Sequence, residues 1–100
     1  MAKKLFISVP MRGREKEEFM KERENVADKV KSMYDDVEVI DSVLKDFDPN
    51  KNIPVHYLAK SIEFLSQADM AAFAEGWDEA RGCVIEHTIC EKYNIPIVLD

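Results

Sequence analysis

A chain of 100 residues is short for one domain and leaves no room for a second, so residues 1–100 are read as a single domain. Its 14 Lys+Arg against 20 Asp+Glu give a formal net charge of −6, which disfavours the broad basic surface that non-specific nucleic-acid binding requires. With 46% apolar and 34% charged residues the chain can bury a modest core and is neither disordered nor collagen-like.

The first element is Lys4-Leu5-Phe6-Ile7-Ser8-Val9, a compact apolar run closed by Pro10, which suits a buried strand. From Arg14 to Tyr34, Phe19, Val26, Ala27, Val30 and Met33, with the stem of Arg23, recur at three- and four-residue steps between charged residues, predicting a long amphipathic helix. Asp35-Asp36 ends it, and Val37 to Asp41 reads as a second, edge strand. Lys45 to Asn52 has loop composition, after which Pro54 opens a second helix through Val55, Leu58, Ala59, Ile62 and Leu65 to about Gln67. Asp69 to Ala74 is a third strand buried on both faces, Glu75 to Arg81 a loop, Gly82 to Tyr93 a third helix, and Ile95 to Leu99 a last strand.

Strands alternating with helices imply a parallel sheet covered on both faces. The expected architecture is therefore α/β: a small three-layer sandwich of the flavodoxin or Rossmann-like kind, with a four-stranded parallel sheet in the order 2-1-3-4 and the first and third helices flanking its crevice. No window approaches the roughly 20 apolar residues of a membrane span, and Leu5 to Pro10 is too short for a secretory signal. A cytoplasmic protein without membrane or nucleic-acid partners is expected.

In such a sheet a ligand sits beyond the carboxyl ends of the strands, where the strand order reverses. Two loops meet there, Pro10-Met11-Arg12-Gly13 and Gly76-Trp77-Asp78-Glu79-Ala80-Arg81-Gly82. Neither the Gly-x-Gly-x-x-Gly of dinucleotide-binding domains nor the Gly-x-x-x-x-Gly-Lys-Ser/Thr of P-loop proteins occurs. Arg12 beside Gly13, placed at a helix amino end, could hold a phosphate or carboxylate, or could be a solvated turn arginine. Ser8, Pro10, Met11, Arg12, Gly13, Asp41, Trp77 and Gly82 are the expected substrate contacts. Trp77 could stack on a base or serve packing alone.

Glu86 falls one turn into the third helix, where the helix amino end favours the ionised carboxylate that a nucleophile needs. Asp78 and Glu79 supply further carboxylates for proton handling. Cys83, His87 and Cys90 share a helical face, but ~10 Å between the cysteine backbones prevents both thiolates from reaching one zinc and prevents a disulfide. The two cysteines read as reduced core thiols, and neither a metal nor a cofactor is expected.

Lys4 to Gly13 together with Gly76 to His87 resembles a group of small bacterial and phage domains similar to nucleoside 2-deoxyribosyltransferases and 2′-deoxynucleoside 5′-phosphate N-hydrolases, and the element order matches along essentially the whole chain. The resemblance implies that Gly82 to Glu86 is the family's Gly-x-x-x-Glu with Glu86 as nucleophile. It implies further that Arg12-Gly13 contacts a 5′-phosphate and that Asp69 is the aspartate commonly opening the third strand. Two positions depart from the pattern: Ser61 stands where active enzymes carry an aspartate that contacts sugar and base, and Ala80 where they carry an acidic residue. The activity implied is retaining N-glycosyl hydrolysis or deoxyribosyl transfer at C1′ of a nucleoside or nucleotide, in a homo-oligomer. The rival expectation is a non-catalytic nucleotide-binding or scaffold domain of the same fold.

Overall fold

A computed structural model describes residues 2–42 and 53–100. Its elements are β1 (Lys3–Ser8), α1 (Lys16–Met33), β2 (Val37–Val39), α2 (Ile53–Leu65), β3 (Met70–Phe73), a short 3-10 turn (Trp77–Glu79), α3 (Arg81–Lys92) and β4 (Ile97–Leu99). The expected loop from Lys45 to Asn52 lies outside the described residues. The four strands form one parallel sheet in the order β2-β1-β3-β4, as the alternation of strands and helices predicts.

Strand periodicity divides the core. Leu5 and Ile7 on β1, with Met70, Ala72 and Ala74 on or beside β3, pack against Val26, Ala27 and Val30 of α1. Phe6, Ala71 and Phe73 point the other way, against Leu65 of α2 and Cys90 of α3. Both central strands are thus covered on both sides over Leu5–Ile7 and Met70–Phe73, which is why those stretches read as continuous apolar runs rather than alternating ones. Each fully buried side chain of the size of Leu5 or Phe6 contributes about 1.5–3 kcal/mol relative to an exposed one. One helix on one face and two on the other make the three layers.

Several ends differ from the sequence reading. α1 starts at Lys16, not Arg14, because residues 11–14 form a turn closed by Arg14 N–H donating to the Met11 carbonyl at 3.1 Å, with Gly13 at φ +75°. A positive φ at the third position of a turn is what glycine tolerates and other residues resist. β2 stops at Val39 because its pairing with β1 ends at Leu5↔Val39, so Ile40 and Asp41 lie beyond the strand. β4 starts at Ile97, after Pro96, whose missing N–H cannot donate to a neighbouring strand. Asp69 lies at the amino end of β3, where its backbone N–H donates to the Lys4 carbonyl at 2.8 Å and its Oδ2 accepts from Lys4 N–H at 2.8 Å. It registers β3 against β1 at the end of the sheet away from Ser8.

Among the described residues no helix is long and apolar enough to cross a membrane.

Candidate functional site

The strand order reverses at the β1–β3 pair, whose last registered residues are Ser8 and Phe73. The two loops that follow abut: Gly76 has φ +87°, and a methyl group there would stand 4.0 Å from Pro10 Cγ. Beyond them opens a cleft of about 1130 Å³. The expected pair of flanking helices is incomplete, because α2 also walls the cleft through Tyr57, Leu58 and Ser61, alongside α1 and the start of α3.

Glu86 forms part of that lining and is only 5% exposed. Ser8 Oγ donates to its Oε1 at 2.7 Å, and Ser61 Oγ donates to its Oε2. Each partner follows from local structure. Ser8 is two residues after Phe6 and so shares its face of the sheet; Ser61 and Tyr57 are four apart on α2 and share a helix face; Glu86 lies one turn beyond Gly82 on α3. Burial pushes the Glu86 carboxyl above its ordinary range, and the two donated hydrogen bonds pull it part of the way back. Desolvation is the largest influence on Glu86, and the two serine hydroxyls, which the sequence reading did not place there, oppose it alongside the helix amino end.

Tyr57 donates its hydroxyl to Met11 Sδ at 3.1 Å, joining α2 to the loop after β1. Burial raises its pKa, the charge of Glu86 raises it further, and Arg23 acts in the opposite direction. Cys83 lines the cleft and Cys90 packs in the core; burial pushes both thiols up to about 11, which keeps them protonated. Both cysteines are free, and no cluster of metal-ligating side chains occurs among the described residues.

Of the expected substrate contacts, Ser8, Pro10, Met11, Arg12 and Gly82 line the cleft. Gly13 does not; its contribution is the turn. Arg12 is exposed and lies before Glu15, the residue that precedes α1, so it is not at the helix amino end itself. The first turn of α1 also carries Glu17 and Glu18, which oppose an anion at that end. Asp41 is exposed and outside the lining, while the adjacent Ser42 is within it.

Trp77 takes the packing role that the sequence left open, not that of a substrate contact. Its ring stacks on His87 at a centroid distance of 3.8 Å and an interplanar angle of 4°, and lies 5.7 Å from the ring of Phe73. Trp77 therefore packs on the sheet face beneath α3 rather than in the crevice. Successive residues of a 3-10 turn point about 120° apart. Glu79 consequently lines the cleft while Trp77 and Asp78 do not. His87 is held further by Glu91 at Nδ1 and Asp100 at Nε2, both at 3.1 Å.

Several site residues escaped the sequence reading, Tyr57 among them. Arg14 donates to the Pro10 carbonyl at 2.8 Å and pairs with Glu22, tying the first loop to α1. Arg23 reaches the Ile40 carbonyl, and its Nε is buried with no hydrogen-bond partner among the described residues. Ser61 stood out only as a departure from an aspartate, although Tyr57 and Ser61 at a four-residue spacing could have marked one face of α2 as polar.

The sequence profile of the family described as Domain of unknown function (DUF4406) matches residues 3–99, and the chain belongs to that family. No curated protein and no solved structure matches it.

Proposed function

We propose that this member of the family is a nucleoside or nucleotide N-glycosyl hydrolase or deoxyribosyltransferase acting at C1′, with Glu86 as nucleophile. The observation that carries the reading is the position of Glu86: a single buried carboxylate in the cleft at the strand-order reversal, with a serine hydroxyl on each oxygen. One Glu86 oxygen attacks C1′ while the C1′–N bond breaks, and the departing base keeps the bonding electrons and takes a proton. Water then attacks C1′ of the glycosyl ester, loses its proton to the site and releases Glu86 as carboxylate; in transfer, a ring nitrogen of a second base replaces water. Of the two carboxylates expected to handle the proton, Glu79 lines the cleft and Asp78 does not, so Glu79 takes that role. Tyr57, whose hydroxyl donates to Met11 Sδ, walls the cleft within electrostatic reach of Glu86 and holds the loop after β1 in place beside the sugar. Ser8 and Ser61 hold the carboxylate and favour its ionised form.

The second reading, a non-catalytic nucleotide-binding domain, draws on Ser61. Its hydroxyl turns onto Glu86 where a catalytic aspartate would face the substrate, and burial favours an uncharged Glu86. One experiment separates the two. The chain is incubated with deoxynucleosides and their 5′-monophosphates, and free base is followed by chromatography. Release of base by wild type, its loss in Glu86→Gln with ligand binding retained, and a 2-fluoro-arabinosyl adduct on the Glu86 peptide are the results expected of the enzyme. Full activity in Glu86→Gln refutes the mechanism, and a wild type inert on every compound supports the binding domain.

A further inference from the structure

The chain has four arginines, Arg12, Arg14, Arg23 and Arg81, and all four line this cleft. Of the described lysines only Lys29 does. In a protein of net charge −6 that segregation is not a consequence of a generally basic surface. It selects the side chain whose planar fork matches phosphate oxygens two at a time.

The four divide into two pairs. Arg14 and Arg23 are committed within the fold, one to the Pro10 carbonyl and Glu22, the other to the Ile40 carbonyl. Arg12 and Arg81 are exposed, and neither makes an ion pair or hydrogen bond among the described residues. Glu75 and Glu79 line the same cleft, yet neither is paired with Arg12 or Arg81. Arg12 belongs to the loop after β1 and Arg81 opens α3 at the end of the loop after β3, the two loops that meet where Gly76 faces Pro10.

We infer that the cleft takes a nucleotide with more than one phosphate, Arg12 gripping one phosphate and Arg81 the next. This rests on the reading of the cleft as a nucleoside site and extends it to the substrate class, a nucleoside 5′-di- or triphosphate in preference to the monophosphate. Glu75 and Glu79 weaken any diffuse attraction for anions in this cleft, so selectivity comes from the directed bonds of the two guanidinium forks.

The test is calorimetric titration of the full chain with the four common deoxynucleosides, each as nucleoside, 5′-mono-, 5′-di- and 5′-triphosphate, with EDTA present to keep divalent cations out. For at least one base, wild type should bind the diphosphate roughly tenfold or more tighter than the monophosphate, in line with one added charge-assisted contact. Arg81→Ala should abolish that gain and leave monophosphate affinity within about twofold, whereas Arg12→Ala should weaken every phosphorylated form. Arg81→Lys keeps the charge without the fork and should restore only part of the gain. Wild type that binds mono- and diphosphate equally well overturns the inference, as does a gain that survives Arg81→Ala. Because the readout is binding, the two proposals fail separately. Glu86-dependent base release with no diphosphate gain removes this inference alone, and an Arg81-dependent gain without any base release removes the catalytic reading alone.

Discussion

Ser61→Ala probes the central arrangement of the site through stability, with no substrate required. The substitution deletes one hydroxyl that donates to a buried carboxyl and leaves the helix backbone and a nearly isosteric methyl in place. A hydrogen bond to a charged group is worth about 1.5–3 kcal/mol, and one between neutral groups about 0.5–1.5 kcal/mol. The cost of Ser61→Ala should therefore depend on the protonation of Glu86. Where Glu86 is neutral the loss should be near 1 kcal/mol; where it is ionised, near 2 kcal/mol, or roughly 8–16 °C in Tm for a domain of this size. Since the Ser61 bond lowers the Glu86 pKa, its removal also raises that pKa further, and the step from small to large cost marks the titration. Urea unfolding of wild type and Ser61→Ala from about pH 4 to about pH 9, with the same pair repeated in a Glu86→Gln background, measures the effect. The pH-dependent part should vanish in the Gln background. A cost that does not change with pH, or that keeps its pH dependence without Glu86, would refute the account of Ser61 as a donor to a titrating carboxylate.

Glu86→Gln should be more stable than wild type at neutral and alkaline pH and converge with it in acid: a carboxyl whose folded pKa is raised contributes its stability below the unfolded value and loses it as pH rises through the folded one, which unfolding across the same pH series reads directly. Trp77→Ala should lower Tm, at a cost of at most about 3 kcal/mol for a half-buried stacked ring, and leave nucleotide affinity unchanged; weakened binding would return Trp77 to the cleft. Leu5→Ala, at a fully buried position of the central strand β1, should cost about 3–5 kcal/mol in chemical denaturation, and a cost below about 1 kcal/mol would contradict the two-sided core. Light scattering at micromolar concentration should give a dimer or larger, because Ile53, Val55 and Ile85 stand exposed at the cleft rim, and Val55→Glu should shift it toward monomer; a monomeric wild type would remove the oligomer from the proposal.

The elements and their order were legible in the sequence because they depend on local regularities. The apolar run Leu5 to Val9, interrupted only by Ser8, and the alanine-rich third strand mark strands covered on both faces, and helical spacing from Phe19 to Met33 marks α1. Once strands and helices alternate, chirality and short connections leave few sheet orders, and order 2-1-3-4 puts the loops after β1 and β3 side by side. The cleft and the position of Glu86 beside it follow from topology. Which side chains meet there does not. Ser8 and Ser61 reach Glu86 across 78 and 25 residues of chain. That convergence depends on the register of β1 against β3 and on the rotation of α2 about its axis, both set by packing Phe6, Leu65, Phe73 and Cys90 into one shared volume. The same packing turned Trp77 onto His87 and left Glu79 in the cleft, a choice between adjacent residues of one turn that no periodicity encodes. The upward pKa shift of Glu86 likewise comes from three dimensions: a helix amino end is visible in sequence, but desolvation depends on what covers the carboxyl, and only the assembled layers supply the cover.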